Sequence, residues 1–231
     1  VAAVAAQGSG YASLANPTFT GTMNADNLTM SGNLTVNGTT TTINTATLDV
    51  EDKNITVAKN AADSAAANGG GLTVDGAGAT FNYASSGDKW TTNKGLDVGG
   101  TLEIDEVFEK FLMNNTTSGT YDWNCLDQGV LNLYVDQLAN RTINLRGDGS
   151  TTLDSVMDGG QSLSLALLVK NGSTPYYPNV IQIDGSAVTP KWQGGSAPTS
   201  GTASGIDVYT FSILKTASAT FTVLATVAAF A

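Results

Sequence analysis

Histidine is absent from this 231-residue chain, cysteine occurs once, and charged residues make up only 13% of it. Without histidine there is no Ser-His-Asp or Cys-His nucleophile pair, no His-ligated zinc, and no imidazole for acid–base work near neutral pH. The lone Cys125 excludes an intrachain disulfide framework and reads as a small buried apolar residue rather than a nucleophile. Acidic residues outnumber basic ones 20 to 10, for a net charge of -10, and Lys and Arg never cluster. A nucleic-acid binder needs such a cluster to displace phosphate counterions. Aromatics reach only 7%, and no apolar run approaches the ~18 residues that cross a bilayer as a helix. The surface is therefore left to Thr, Ser, Asn and Gly. The opening Val1-Ala-Ala-Val4-Ala-Ala has neither a basic n-region nor an initiator Met, and reads as the inside of a longer chain or a processed end rather than a signal peptide.

What is present is a recurring phrase, apolar-x-apolar followed by a turn residue. It reads Leu28-Thr-Met30-Ser-Gly32, Leu34-Thr-Val36-Asn-Gly38, Leu72-Thr-Val74-Asp-Gly76 and Leu96-Asp-Val98-Gly-Gly100. Each phrase is expected to be a period-two strand with one apolar face, closed by a residue that tolerates positive φ. Between the phrases lies a Thr/Asn/Ala/Gly sequence with too few large side chains to enclose a core. Such strands hide an apolar face only against copies of themselves.

Three zones follow. Residues 1–27 are a connector, in which Pro17 stops any helix and 18–22 read as a short extended piece. Residues 28–100 carry the repeated phrases. Within them 39–57 are rich in β-branched residues and should form two short strands around Asp52-Lys53-Asn54, while 58–71 hold either a helical turn ended by the glycine triplet or a loop. From 101 larger apolar residues appear, and strand-like runs recur at roughly ten-residue spacing: 130–135, 142–145, 162–169, 180–183, 208–214 and 220–225. Turn signals separate them, among them Gly147-Asp148-Gly149, Asp158-Gly159-Gly160, Asn171-Gly172 and Asp184-Gly185. Residues 104–113 fit either a helical face or a strand, and we take the strand. The last zone reads as an antiparallel β-sandwich.

Two passages carry a resemblance. Residues 32–90 (GNLTVNGTTTTINTATLDVEDKNITVAKNAADSAAANGGGLTVDG…FNYASSGDKW) resemble modules repeated in tail-fibre and appendage proteins of tailed phages, especially cyanophages. Residues 174–231, with TPYYPN and IQIDGSAVTPKWQGGSAPTSGTASGIDVYTFSILKTASATFTV, resemble a C-terminal domain of virion structural proteins from the same phages. Residues 11–22 are similar to connectors between fibre modules. The resemblance implies a virion surface appendage, normally a homotrimer, without catalysis or a cofactor. It leaves open whether the appendage sits on tail, baseplate or head. Some phage fibres close their trimer with His-coordinated metal, a device this chain lacks the residues for.

Few residues suggest a site. Tyr176 and Tyr177 lie among prolines, and Lys191 and Trp192 sit beside Pro190 and the Gly194-Gly195 pair. Aromatic rings in loops stack on sugar faces, so these four are the candidate receptor contact, with a host glycan as the receptor; equally, Tyr176, Tyr177 and Trp192 can plug the sandwich ends or a subunit interface. Arg146-Gly147-Asp148 spells an integrin-binding tripeptide but reads as a turn, and Asn-x-Thr sequons such as Asn27-Leu-Thr29, Asn33-Leu-Thr35, Asn54-Ile-Thr56 and Asn140-Arg-Thr142 arise from composition. Asp154 with Asp158, or Glu103, Asp105, Glu106 and Glu109, offer oxygen ligands to Ca²⁺ but lack a loop spacing for it, and read as solvated acidic faces.

The expectation is an all-β protein, an extended β-rich trimeric shaft (28–100) followed by a C-terminal antiparallel β-sandwich knob (101–231). Leu34, Val36, Ile43, Leu48, Val50, Ile55, Val57, Leu72, Val74, Leu96 and Val98 should face sister chains, each contributing ~1.5–3 kcal/mol on burial. The expected role is a virion structural protein, a homotrimeric tail fibre adhering to the host surface and docked to other tail, baseplate or capsid proteins. The alternative is a capsid or head fibre that decorates the shell without recognising a receptor.

Overall fold

The computed structural model describes residues 21–24, 26–38 and 41–231. Among them the chain is β-rich, with one four-residue helix and two short 3₁₀ turns. It divides into two units, Val1–Asp97 and Val98–Ala231.

In the first unit, three strands form one antiparallel sheet in the order β1-β2-β3: β1 (Gly71–Val74), β2 (Ala79–Ala84) and β3 (Lys89–Thr92). The β1–β2 connection is a 3₁₀ turn closed by Gly78 at φ 56°, which a side chain would strain. Register places Leu72 opposite Phe81, Val74 opposite Ala79 and Tyr83 opposite Trp90. Period-two alternation therefore gathers Leu72, Val74, Phe81, Tyr83 and Trp90 on one face.

Of the four repeated phrases only Leu72-Thr-Val74 is a strand. Residues 28–30, 34–36 and 96–98 are irregular, and so are 41–57, where two strands were expected. The difference has a simple cause. A strand exists only when its N–H and C=O groups find a ladder partner, and 79–84 fold back to supply one for β1 alone. Residues 64–69 form turns, started by the Asp63 carboxylate accepting from Ala66 N at 2.8 Å and ended at Gly69, φ 85°. The extended piece expected at 18–22 lies mostly outside the described residues.

The second unit is a sandwich of two sheets. A six-stranded sheet has the order β11-β13-β12-β8-β6-β4, with β4 (Phe111–Asn114), β6 (Val130–Leu133), β8 (Ser162–Lys170), β11 (Lys191–Trp192), β12 (Ile206–Ala217) and β13 (Thr220–Phe230). A four-stranded sheet has the order β10-β9-β7-β5, with β5 (Gly119–Asn124), β7 (Arg141–Arg146), β9 (Pro178–Ile183) and β10 (Ser186–Val188). Of residues 104–113, read as one strand, only the last three belong to β4; 104–110 are irregular.

The sandwich is mixed rather than antiparallel, which corrects the reading above. β4, β6 and β8 run parallel in one sheet and β5, β7 and β9 run parallel in the other. From β4 to β9 the chain alternates between sheets at every strand, so each strand returns to its sheet in the same direction as the last. Turns such as Gly147-Asp148-Gly149 are crossings between layers, not hairpins. Antiparallel pairing is confined to β9–β10, β8–β12 and β12–β13.

The core lies between the layers. Trp123, Leu131, Leu133, Ile143, Leu145, Leu167, Tyr209 and Ile213 are fully buried there, with Phe211 and Leu153 nearly so. Helix α1 (Leu153–Val156) is capped by Thr152, whose hydroxyl accepts from Ser155 N. Lys215, buried at the end of β12, fastens it: its ammonium meets the Asp154 carboxylate at 2.7 Å and donates to the backbone carbonyls of Met157, at 2.8 Å, and Asp154. Arg141 is buried without a carboxylate; its guanidinium donates to Thr116 O, Thr116 Oγ1, Ser118 O and Gln137 Oε1, and its carbon sits 5.7 Å above the Tyr121 ring.

Candidate functional site

The four aromatic and basic candidates separate into three places. Tyr177 and Trp192 share a groove of about 400 Å³, walled by Pro178, Val188, Pro190 and Pro198, with Asn179 and Thr189 as its polar lining. Tyr177 leads into β9, and Trp192 is the last residue of β11. Trp192 pairs with Ala225 and turns inward with it, making edge-on contacts with Tyr209 (6.3 Å between centroids) and Phe211 (6.5 Å). Both rings pack on the core while lining the groove. Lys191 precedes Trp192 in the strand and so points to the opposite side of the sheet, into a hollow with Leu224 and Thr226. Tyr176 is half-buried, and its N–H donates to Asn171 Oδ1 at 2.9 Å.

A buried carboxylate holds this end together. Asp207 accepts from Thr202 N (2.8 Å), Thr202 Oγ1 (2.7 Å) and Asn171 Nδ2 (3.1 Å). Asn171 in turn holds Tyr176, and Asn140 Oδ1 accepts from Tyr177 N at 3.2 Å. Gly201 is packed so closely that a Cβ there would stand 2.4 Å from Tyr176 O and 2.8 Å from Asp207 Oδ2. The groove is thus pre-formed, with aromatic and proline walls, one amide and one hydroxyl. That set stacks against the apolar face of a ring and hydrogen-bonds its hydroxyls. Sequence reading missed Pro178, Val188 and Pro198 as walls and Asp207 as the anchor. An acidic residue inside an otherwise apolar strand, Ile206-Asp207-Val208-Tyr209, was the signal for the latter.

Two other reactive side chains are held by the sandwich itself. Cys125 is half-buried beside the core, and burial pushes its thiol up to about 12, so it is protonated at neutral pH. Asp154 is engaged by Lys215 and by Ala219 N at 2.6 Å. Among the described residues no three metal-ligating side chains cluster. Arg146-Gly147-Asp148 forms a crossing turn whose Asp148 carboxylate accepts from Ser150 N at 2.8 Å, while Arg146 binds Asp122 at 2.9 Å.

The other candidate set is the apolar series in 28–98. All eleven of its residues are exposed, from Val98 at 40% to Leu96 at 74%. Phe81 and Trp90, which sequence reading had not included, lie exposed on the same sheet face as Leu72 and Val74. Among the described residues of 21–110, none is buried.

No protein-family model matches the chain, and neither a curated protein nor a solved structure matches it.

Proposed function

We propose that this chain is a virion structural protein of a tailed phage, a homotrimeric tail fibre. Residues 28–100 form its shaft against sister chains, and 101–231 form a knob that adheres to the host cell surface. One observation carries the reading: none of the described residues of 21–110 is buried, yet each of the four phrases presents two exposed apolar residues. Isolated short strands are unstable in water, and a series of large apolar residues left exposed over this length of chain is accounted for by an interface. Sister chains carrying the same series supply both ladder partners and cover. The resemblance of 32–90 and 174–231 to phage appendage proteins points the same way, as does a surface built of Thr, Ser and Asn.

At the other end, the Tyr177–Trp192 groove is the contact offered to a surface sugar. Its walls are held by the core and by the Asp207 network, so binding there orders little that is not already ordered.

The test is adhesion by the full chain. Purified protein incubated with marine cyanobacteria, the hosts the resemblance implies, is expected to bind cells and reduce adsorption of the cognate phage. Antibody labelling should place it at the tail tip in virion images. Label on the head, with no binding to cells, would instead establish a decorating head fibre.

A further inference from the structure

The two outer faces of the sandwich differ in chemistry. On the four-stranded sheet the outward positions include Asp122, Asn124, Asn144, Arg146 and Gln182. They are tied into a ladder by Asn144 Nδ2 to Asp122 Oδ1 (2.8 Å), Arg146 Nη1 to Asp122 Oδ2 (2.9 Å) and Arg146 Nε to Asn124 Oδ1 (2.8 Å). That face suits water. The six-stranded sheet is otherwise. Register sets Phe111, Val130, Ala166, Thr210 and Thr226 in one outward row and Met113, Asn132, Leu168, Val208 and Ala228 in the next. Phe111 and Met113 are 53% and 55% exposed, and Ile206, Leu224 and Phe230 extend the apolar surface along β12 and β13.

Charge on this face is confined to its borders. Lys170, at the end of β8, pairs with Asp136 at 3.1 Å. Glu109 reaches over Gly129 just before β4, and Lys191 lies on β11. β4 and β11 are the two opposite edges of the sheet.

We propose that the outer face of the six-stranded sheet is a second interface between copies of this chain, the sheets of the sandwich units turned toward a common axis. Three arguments fix the occupant as a second copy. With strands ~4.8 Å apart and ~3.3 Å per residue, the 42 strand residues of the sheet span a flat area of about 670 Å², and the side chains standing on it bring the accessible area toward the ~800 Å² per partner of a standard interface. In a cyclic assembly the β4 edge of one copy adjoins the β11 edge of the next, so Glu109 meets Lys191 of the neighbour, and the two unpaired border charges neutralise each other. Finally, the chain reaches β4 through Leu102, Ile104, Val107 and Phe108, all exposed, so apolar surface continues without a break in sequence from the proposed shaft into this edge strand.

The inference rests on the homo-oligomer proposed above but assigns a different face to it, and the two are separable by cross-linking. Three full-length variants are compared at low micromolar concentration with a short bis-maleimide: Thr210→Cys at the centre of the apolar face, Thr120→Cys on the polar face, and Val74→Cys in the shaft series. The native Cys125, held as thiol by its burial, serves as the background control. Expected is a covalent oligomer from Thr210→Cys and none from Thr120→Cys. A cross-link from Val74→Cys without one from Thr210→Cys overturns this inference and leaves the fibre reading standing. No cross-link from either overturns both. Equal yields from Thr210→Cys and Thr120→Cys signify random encounter and likewise overturn it. The charge pairing has its own readout: Glu109→Lys and Lys191→Glu should each lower the Thr210→Cys yield, and the double reversal should restore it.

Discussion

Phe81 and Trp90 lie ring on ring, 5.0 Å between centroids and 6° from parallel, on a sheet face left open to solvent. They sit diagonally across β2 and β3, where aromatic pairs add about 0.5–1.5 kcal/mol beyond the area they bury. A three-stranded sheet of this size needs cover on that face. If sister chains supply it, Trp90 is shielded in the assembly and wet in the monomer. Diluting the protein through its dissociation range should shift part of the tryptophan emission to the red, and Trp90→Phe should abolish that component. Emission independent of concentration would show the face uncovered at all times.

Val74→Asp places a carboxylate among Leu72, Ala79 and Phe81 on the same face. All four residues belong to the first unit, so the circular dichroism and near-ultraviolet signature of the sandwich should persist while the oligomer becomes weaker and dissociates at higher concentration than the parent. Native mass measurement reads the outcome directly. An oligomer as resistant to dilution as the parent would remove β1 from the interface.

Lys215 and Asp154 make the sandwich sensitive to acid. The Lys215 ammonium, and after it the Ala219 N–H, hold the Asp154 carboxyl below its ordinary value of 3.8. Because the folded value is the lower one, the resulting stabilisation is complete above the unfolded value and is lost as pH falls through the folded one. Asp154→Asn should therefore flatten the acid limb of a stability-versus-pH curve below about pH 4. Lys215→Met, which abandons two backbone carbonyls, should cost about 1–3 kcal/mol at neutral pH in a denaturant titration.

Gly201→Ala tests the anchor of the groove. With a Cβ 2.4 Å from Tyr176 O, the loop must move, and a loss on the order of 2 kcal/mol is expected. Cell adhesion should fall with it, whereas oligomer mass should not. Adhesion that survives the change would place the receptor contact elsewhere.

The strands of the sandwich were legible where branched and aromatic residues alternate, as in 208–214 and 220–225, because one inward face there is nearly all apolar. β5 was not. Gly119, Asp122 and Asn124 are poor strand formers in isolation, and Asp122 and Asn124 are strand residues here because Asn144 and Arg146 of β7 complete their polar ladder. Topology was hidden for a different reason. A turn of Gly and Asp reads the same whether the chain folds back on its own sheet or crosses to the other, so parallel pairs looked like hairpins. The site suffered from the same gap: Lys191 and Trp192 are neighbours in sequence, yet once β11 forms they point to opposite faces. Among the described residues of 28–70, alternation was present but partners were not, and strand pattern without a ladder gives no strand within one chain.

The central claim is that the front unit acquires its order from identical neighbours. Sedimentation equilibrium of the full chain, paired with limited proteolysis across the same concentrations, tests it most directly. The account predicts a species of about 71 kDa, three copies of a 23.6 kDa chain, with 41–97 protected only while that species persists. A 23.6 kDa monomer whose 41–97 segment resists protease at every dilution would contradict it.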